Sequence, residues 1–502
     1  MLNGSYTGSM LEVSNTLGTN SEDITMGYYA ASAGMAIAYP IIPKVLAAVS
    51  VKFLLLIDLL LQFFLSWICA RSQNADILIV CSFTVGFLKG FLMLWFIRYA
   101  QKIFSRKNVR SEFYSYFYPL VYGGGQASML VTAQLAYHYN WKYMYYFMML
   151  LILVSVLFVI ICFRHNRPIK AVALSDLHIR EMFVISTGLL MLMYVINYGK
   201  VLDWMASGKI CIYIVISPIL IALFIWIQHH SKNPYVSLAP LFQPKAIIGY
   251  FYMMLVMFFS TSTTLLTNYL SIILKVDSTH TYSLYIFLLP GYVIGAFICF
   301  WWFRWQRWRF RFLIAGGMSC FVIFFGVLYF GIAPNSTYEM LYLPIFFRGL
   351  GMLTLIIAFA LFAVEDLNPK FLLSNAFFLI IFRSVLAPIM ATSFYSNMLY
   401  RLQQKYIYSL SETITTADPL AASRYTQSLN NALAQGHRYD EAVQIATHSL
   451  YGTLQEQSLL LALKEILGYL LVISVIIAVI SRFIPFHKTI RVTFAKTGDD
   501  MV

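Results

Sequence analysis

Few side chains in this 502-residue chain put a charge inside an apolar run, and those few are where chemistry can be sought. Asp58 interrupts LLLIDLLLQFFL four residues before Gln62, so the two share one helical face. A carboxylate at such depth must be protonated, paired or wet. The pair reads either as a protonatable group on a solute path or as a near-interface residue held by a neighbouring helix or by Lys52. Lys89 lies near the middle of the next apolar run, Asp76 to Gln101. A lysine at the centre of a membrane helix costs ~2.5–3.5 kcal/mol on insertion scales and needs a partner. Asp58 on the preceding run is the obvious one, in a structural clasp or a substrate or proton site. Arg98, nine residues on, can snorkel toward a basic helix end.

Arg383 sits in LIIFRSVLAPI (Leu379 to Ile389), eight residues after Asn375. That is about two turns, so both can point to one side. Pro388 weakens the helix and frees a carbonyl near residue 384. Arg383 then either binds an anionic group of a substrate or bridges helices. Arg348 precedes Gly349 and Gly351 in FRGLGM. Glycines so placed let helices approach closely, which makes this group a structural or gating candidate. Asp366, next to Glu365 and near Lys370, reads as a gate or loop contact. The sequence has no Gly-x-x-x-x-Gly-Lys-Ser/Thr loop, no His/Glu metal spacing and no nucleophile elbow, so no catalytic residue, metal or cofactor is expected. None of the six cysteines has CxxC spacing; all fit packing roles.

The elements that must hold these residues follow from composition. The chain is 60% hydrophobic and 11% charged, against about 25% charged for soluble domains. Apolar runs able to cross ~30 Å of hydrocarbon recur at about 24–48, 52–71, 76–101, 113–137, 141–163, 181–202, 209–228, 246–275, 281–304, 310–332, 339–365, 370–400 and 459–483. The spacing predicts an all-α polytopic membrane protein of thirteen spans; alternation of the β-barrel kind is missing. The one long connection, 401–458, is Ala/Gln-rich, with helical spacing from Tyr439 to Leu463. Clusters at Lys102–Arg110, Arg164–Arg180, Arg304–Arg311 and Arg482–Lys496 fall on one face. The positive-inside rule makes that face and the C-terminus cytoplasmic and puts 401–458 outside. The net charge of +14 thus reflects topology and anionic lipid, not nucleic acid. The start, MLNGSYTGSML, is too short to span and lacks the regions of a signal peptide; the chain is expected to begin within its first helix, with a fourteenth span or half-span there.

Several stretches in the right order resemble one family. NYGKVLDWMAS (Asn197 to Ser207), NWKYMYYFMM (Asn140 to Met149), SLAPLFQPKAIIG (Ser237 to Gly249), FRGLGM (Phe347 to Met352) and DLNPKFLLSNAFFLIIFRSVLAPI (Asp366 to Ile389) resemble the 14-span drug:proton antiporter branch (EmrB/QacA type) of the major facilitator superfamily. The first half departs from that pattern: PKVLAAVSVKFL has no glycines in the loop that normally carries them, Phe83 stands near the usual Arg, and GGGQASMLVTAQ lacks the family's proline. The resemblance implies a major facilitator fold of two six-helix bundles plus a two-helix insert. Its parts would be an N-terminal bundle at 1–163 with the first helix incomplete and a linker at 164–245 with two accessory transmembrane helices. A C-terminal bundle at 246–485 would include the external loop 401–458, ahead of a cytoplasmic tail at 486–502. It also implies a secondary transporter of the inner (cell) membrane, exporting amphipathic small molecules against protons by alternating access in multidrug-efflux fashion. The pathway residues would be Asp58, Gln62, Lys89, Asn375 and Arg383. A periplasmic adaptor and an outer-membrane channel are possible partners. Alternatives left open are an uncoupled or non-transporting scaffold or lipid-handling relative, and an importer of an anionic nutrient.

Overall fold

A computed structural model describes residues 10–104, 109–163, 177–305, 310–365, 367–414 and 418–484. Among them the chain is helical, with no strand. Helix α1 is Met10–Leu17. Asn20 then caps α2, its N–H donating to the Asp23 carboxylate at 3.2 Å. Helix α2 spans Ser21–Ala48, tightened at Tyr39–Ile41 where Pro40 and Pro43 remove backbone donors. Next come α3 (Val51–Arg71), α4 (Ala75–Phe104), α5 (Arg110–His138) and α6 (Lys142–Cys162).

Small residues fix which helices touch. The run AASAGMA in α2 lies on α4 so closely that a Cβ on Gly34 would stand 2.2 Å from the Phe83 carbonyl oxygen, and one on Gly86 1.9 Å from that of Ala31. α3 packs on α6 and, less extensively, on α4. Helices α7 (Ile179–Tyr198) and α8 (Gly208–His230) pair with each other, the buried Ser217 hydroxyl donating to the Gly188 carbonyl at 3.0 Å. α8 otherwise presents bulky apolar side chains outward, as a lipid-facing helix does.

The pairing repeats later in the chain. α9 starts at Pro244 and runs to Ile273, its last five residues π-helical. α10 (Ser278–Trp305) packs on α12 (Tyr338–Phe362), and α11 (Phe310–Gly331) on the final helix α15 (Tyr439–Phe483). A Cβ on Gly349 of α12 would lie 2.8 Å from the Leu288 carbonyl oxygen of α10, and one on Gly351 2.8 Å from that of Gly317 in α11. α12 is therefore held on two sides and is buried all round from Met352 to Phe362. α13 comprises Leu372–Ile380, a π-helical segment Ile381–Leu386, and Ala387–Thr413. The expected incomplete first helix falls on residues of which the structure describes only those from Met10.

Among the described residues, twelve segments are long and apolar enough to cross a membrane. The thirteenth expected span, 113–137, is α5: 29 residues long, but rich in Tyr, Ser, Gly and Gln. This is a multi-pass membrane protein. One expectation is corrected. Residues 401–458 are helical almost throughout: α13 continues to Thr413, α14 is Pro419–Ala434, and α15 begins at Tyr439. Its Ala, Gln and Leu favour helix. Asp418 caps α14 through the Leu420 N–H at 3.0 Å with Pro419 in the first turn, and Gly436, at φ +89°, turns the chain into α15. With 45 residues, α15 is about 67 Å long, roughly twice the ~30 Å hydrocarbon core.

Candidate functional site

A cavity of about 970 Å³ lies among α2, α4, α5, α9, α10, α12 and α13. α5 supplies one wall. Arg110, Tyr114, Tyr118, Tyr122 and Gln126 recur every fourth residue, hence on one face, and all line the cavity. The rings form a row: Tyr114 and Tyr118 meet edge-to-face with centroids 5.3 Å apart, Tyr118 and Tyr122 are parallel at 6.3 Å, and Tyr122 reaches Tyr292 of α10 at 6.1 Å. α5 is polar because this face meets the cavity rather than lipid.

Arg383 faces that wall from α13. It lies in the π-helical segment, where the wider turn re-aims side chains. Its guanidinium carbon stands 5.9 Å from the Tyr118 ring centroid, and Nε is 3.4 Å from the Ser384 hydroxyl. Arg348 enters from α12 and donates through Nε and Nη2 to the Ser260 carbonyl at 3.1 and 2.8 Å. α9 is interrupted nearby at Ser262, whose N–H goes to Phe259 O and whose own carbonyl receives Leu265 N–H, and the Thr263 hydroxyl also donates to the Ser260 carbonyl at 3.3 Å. Both arginines keep a buried Nη1 with no hydrogen-bond partner.

Of the residues singled out from sequence, Lys89, Asn375, Arg383, Arg348 and Pro388 line the cavity. Asn375 accepts a hydrogen bond there from the Tyr250 hydroxyl. Gly349 and Gly351 face the flanking helices instead. Asp58 and Gln62 are elsewhere. Both are buried, as are Leu55 and Leu59 of the same helix. Asp58 Oδ2 accepts from Gln62 Nε2 at 3.2 Å, and Oδ1 has no partner. The expected Asp58–Lys89 clasp is thus corrected: Lys89 lines the cavity, Asp58 does not, and Asp58 finds its partner within its own helix. Glu365 pairs with Lys245 at 2.9 Å, joining α12 to α9. Asp366 and the side chain of Arg98 lie outside the described residues.

Sequence reasoning missed the tyrosine row and the cavity position of Arg110, which had been assigned to a basic connection. The period-four tyrosines in YSYFYPLVY were the signal. Charge in the cavity is one-sided: Lys89, Arg110, Arg348 and Arg383 line it, with Glu22 as the carboxylate among the described lining residues. No group of three or more His, Cys, Asp or Glu able to hold a metal occurs among the described residues.

Comparison with known proteins gives the family. No curated protein sequence matches this chain. Solved structures similar to it include a mutant of the nucleoside transporter NupG, 13% identical with TM-score 0.49, covering 80% of this chain and 90% of that one. A proton-dependent oligopeptide transporter is 14% identical with TM-score 0.48, covering 95% of each. A bacterial homologue of the human lysosomal transporter Spinster, inward-facing and unoccupied, is 10% identical with TM-score 0.41, covering 96% of each. The family model for the Major Facilitator Superfamily matches residues 1–392, most of the chain, and the protein belongs to that superfamily as a transporter rather than an enzyme.

Proposed function

We propose that this transporter moves amphipathic small molecules by alternating access, exporting them against a proton gradient across the inner membrane. The bundles at 1–163 and 246–485 rock about the cavity, with the pair at 164–245 between them. The observation that carries the reading is the cavity itself, at about 970 Å³ large enough for a drug-sized molecule. One wall is the tyrosine row of α5 and the facing wall is the π-helical break of α13. Rings offer apolar faces and hydroxyl edges together, which suits amphipathic cargo. Substrate sites at the midplane between repeats are the general pattern for such bundles. Export and proton coupling rest on the antiporter-like stretches named above. In this orientation the basic connections and the C-terminus are cytoplasmic. The helical projection at 401–458, with Tyr408, Leu420 and Tyr439 exposed, is then the docking surface for a periplasmic adaptor.

The test is accumulation of an amphipathic dye in proteoliposomes with and without a pH gradient, for the wild type and Tyr118→Ala. We expect gradient-dependent accumulation, reduced at least about tenfold by the loss of the central ring. Flux that ignores the gradient removes coupling from this reading. Flux that also ignores Tyr118 removes the cavity as the route.

A further inference from the structure

We infer, resting on the transport reading above, that the cargo is an organic anion: a carboxylate, sulfonate or phosphate group carried on a planar apolar body, with the anion bound by Arg348 and Arg383. An arginine keeps its charge at any accessible pH, and one drawn out of bulk water ordinarily has a carboxylate beside it. Neither of these does among the described residues. Arg348 spends two nitrogens on a single carbonyl oxygen, Ser260 O, and its Nη1 has no partner. Arg383 has one long bond to Ser384, a ring face from Tyr118, and an Nη1 without a partner. A carbonyl dipole and an aromatic face offset part of the positive charge of these half-buried arginines but leave a net cation with spare donors. An oxyanion complements these donors by charge and by fork geometry.

The rest of the wall says what the anion is attached to. Tyr118, Tyr122 and Tyr292 form a continuous row of rings. Arg383 stands at Tyr118 and also neighbours Tyr122; Arg348 neighbours Tyr292. The two guanidiniums therefore flank one aromatic row, and a planar body lying on it brings an acidic substituent to either. The same cations repel a cationic drug, which separates this inference from general multidrug recognition. The contact also spans the bundles, because Tyr118 belongs to α5 and Arg383 to α13. An anion drawing Arg383 toward itself competes with the Arg383–Tyr118 contact, so cargo binding acts on the bundle interface.

The test uses the full chain in phosphatidylcholine nanodiscs and two dyes sharing a xanthene frame, anionic fluorescein and cationic rhodamine 6G, with empty discs as background. Fluorescence anisotropy is expected to show saturable fluorescein binding and no saturable rhodamine binding. Arg383→Gln and Arg348→Gln are each expected to weaken fluorescein by at least about tenfold, and Arg383→Lys by less, since it keeps the charge and loses the fork. Should the Gln variants fail to fold, the wild type decides alone: fluorescein must raise its Tm and rhodamine must not. Anionic phospholipid offers the guanidiniums the same phosphate chemistry. Discs containing phosphatidylglycerol separate the two sources, because unchanged fluorescein binding there supports a free organic anion. Loss of binding assigns the site to a lipid headgroup and overturns the inference. So does equal binding of both dyes, or Gln variants that fold and bind as the wild type does. Failure of the two readings is distinguishable. Fluorescein bound but never transported removes transport and keeps the anion site; rhodamine transported with no fluorescein binding does the reverse.

Discussion

At the scale of residues, helical arithmetic gave partners along one helix and failed between helices. Asp58 and Gln62 share a face and do bond at 3.2 Å. Asn375 and Arg383, about two turns apart, both line the cavity. A period of 3.6 cannot say which neighbour a face meets, and Asp58 bonds within its own helix where Lys89 was expected. Its position makes a prediction. Asp58→Asn keeps the Gln62 bond and removes a charge-capable group from an apolar setting, so it is expected to raise stability by about 1 kcal/mol and leave cargo binding within about twofold. Thermal unfolding and dye binding check this. Combined with Lys89→Met the effects should add to within about 0.5 kcal/mol, as for sites with no shared contact. A loss of gradient-driven transport in Asp58→Asn would return the residue to the proton path.

At the scale of elements, the helices were legible wherever one solvent, lipid, dictated the whole surface. α3, α6 and α8 were readable to within a few residues because nearly every position is apolar. The failures came where a helix faces something else. α5 was expected as the span 113–137, but the stripe that it turns toward the cavity was not read as one. The helices of 401–458 are Ala/Gln-rich rather than uniformly apolar, so they follow propensity and capping, not hydrophobic length. They are tied down by Tyr406 and Tyr469, which both donate to Glu465 at 2.6 Å, and by the Lys275–Glu456 pair at 3.0 Å. Helix contacts inside the bundles rest on glycine. Gly86→Leu drives a side chain into the Ala31 carbonyl 1.9 Å away and is expected to cost about 3 kcal/mol or to block folding. Gly316→Ala, with nothing within 4 Å, is the control and should be neutral or slightly stabilising. Expression and Tm of the two variants separate these outcomes; equal tolerance of both would mean that α2 and α4 do not pack as described.

At the scale of the whole molecule, alternating access requires contacts that exist in one state and break in the other. Side-chain contacts that cross between the bundles at the cavity include the Tyr29 hydroxyl donating to Thr392 Oγ1 at 3.0 Å, Arg383 over Tyr118, and the Tyr122–Tyr292 ring pair. A net hydrogen bond is worth about 1 kcal/mol. Removing it with Tyr29→Phe therefore shifts a two-state equilibrium roughly fivefold toward the state that lacks it. The shift can be read from opposite ends of the cavity. Leu372 opens α13 on the side where Lys245 and Glu365 pair, whereas Asn268 is far along α9 from Lys245, about 35 Å by helical rise. Both line the cavity. Asn268→Cys and Leu372→Cys are to be labelled with a membrane-impermeant maleimide, above the background of the six native cysteines. In the Tyr29→Phe background we expect labelling to rise at one position and fall at the other, each by severalfold. Changes in the same direction at both ends would mean that the bond stabilises the fold as a whole. The two bundles would then not exchange between openings about this contact, and the rocking mechanism would need another hinge.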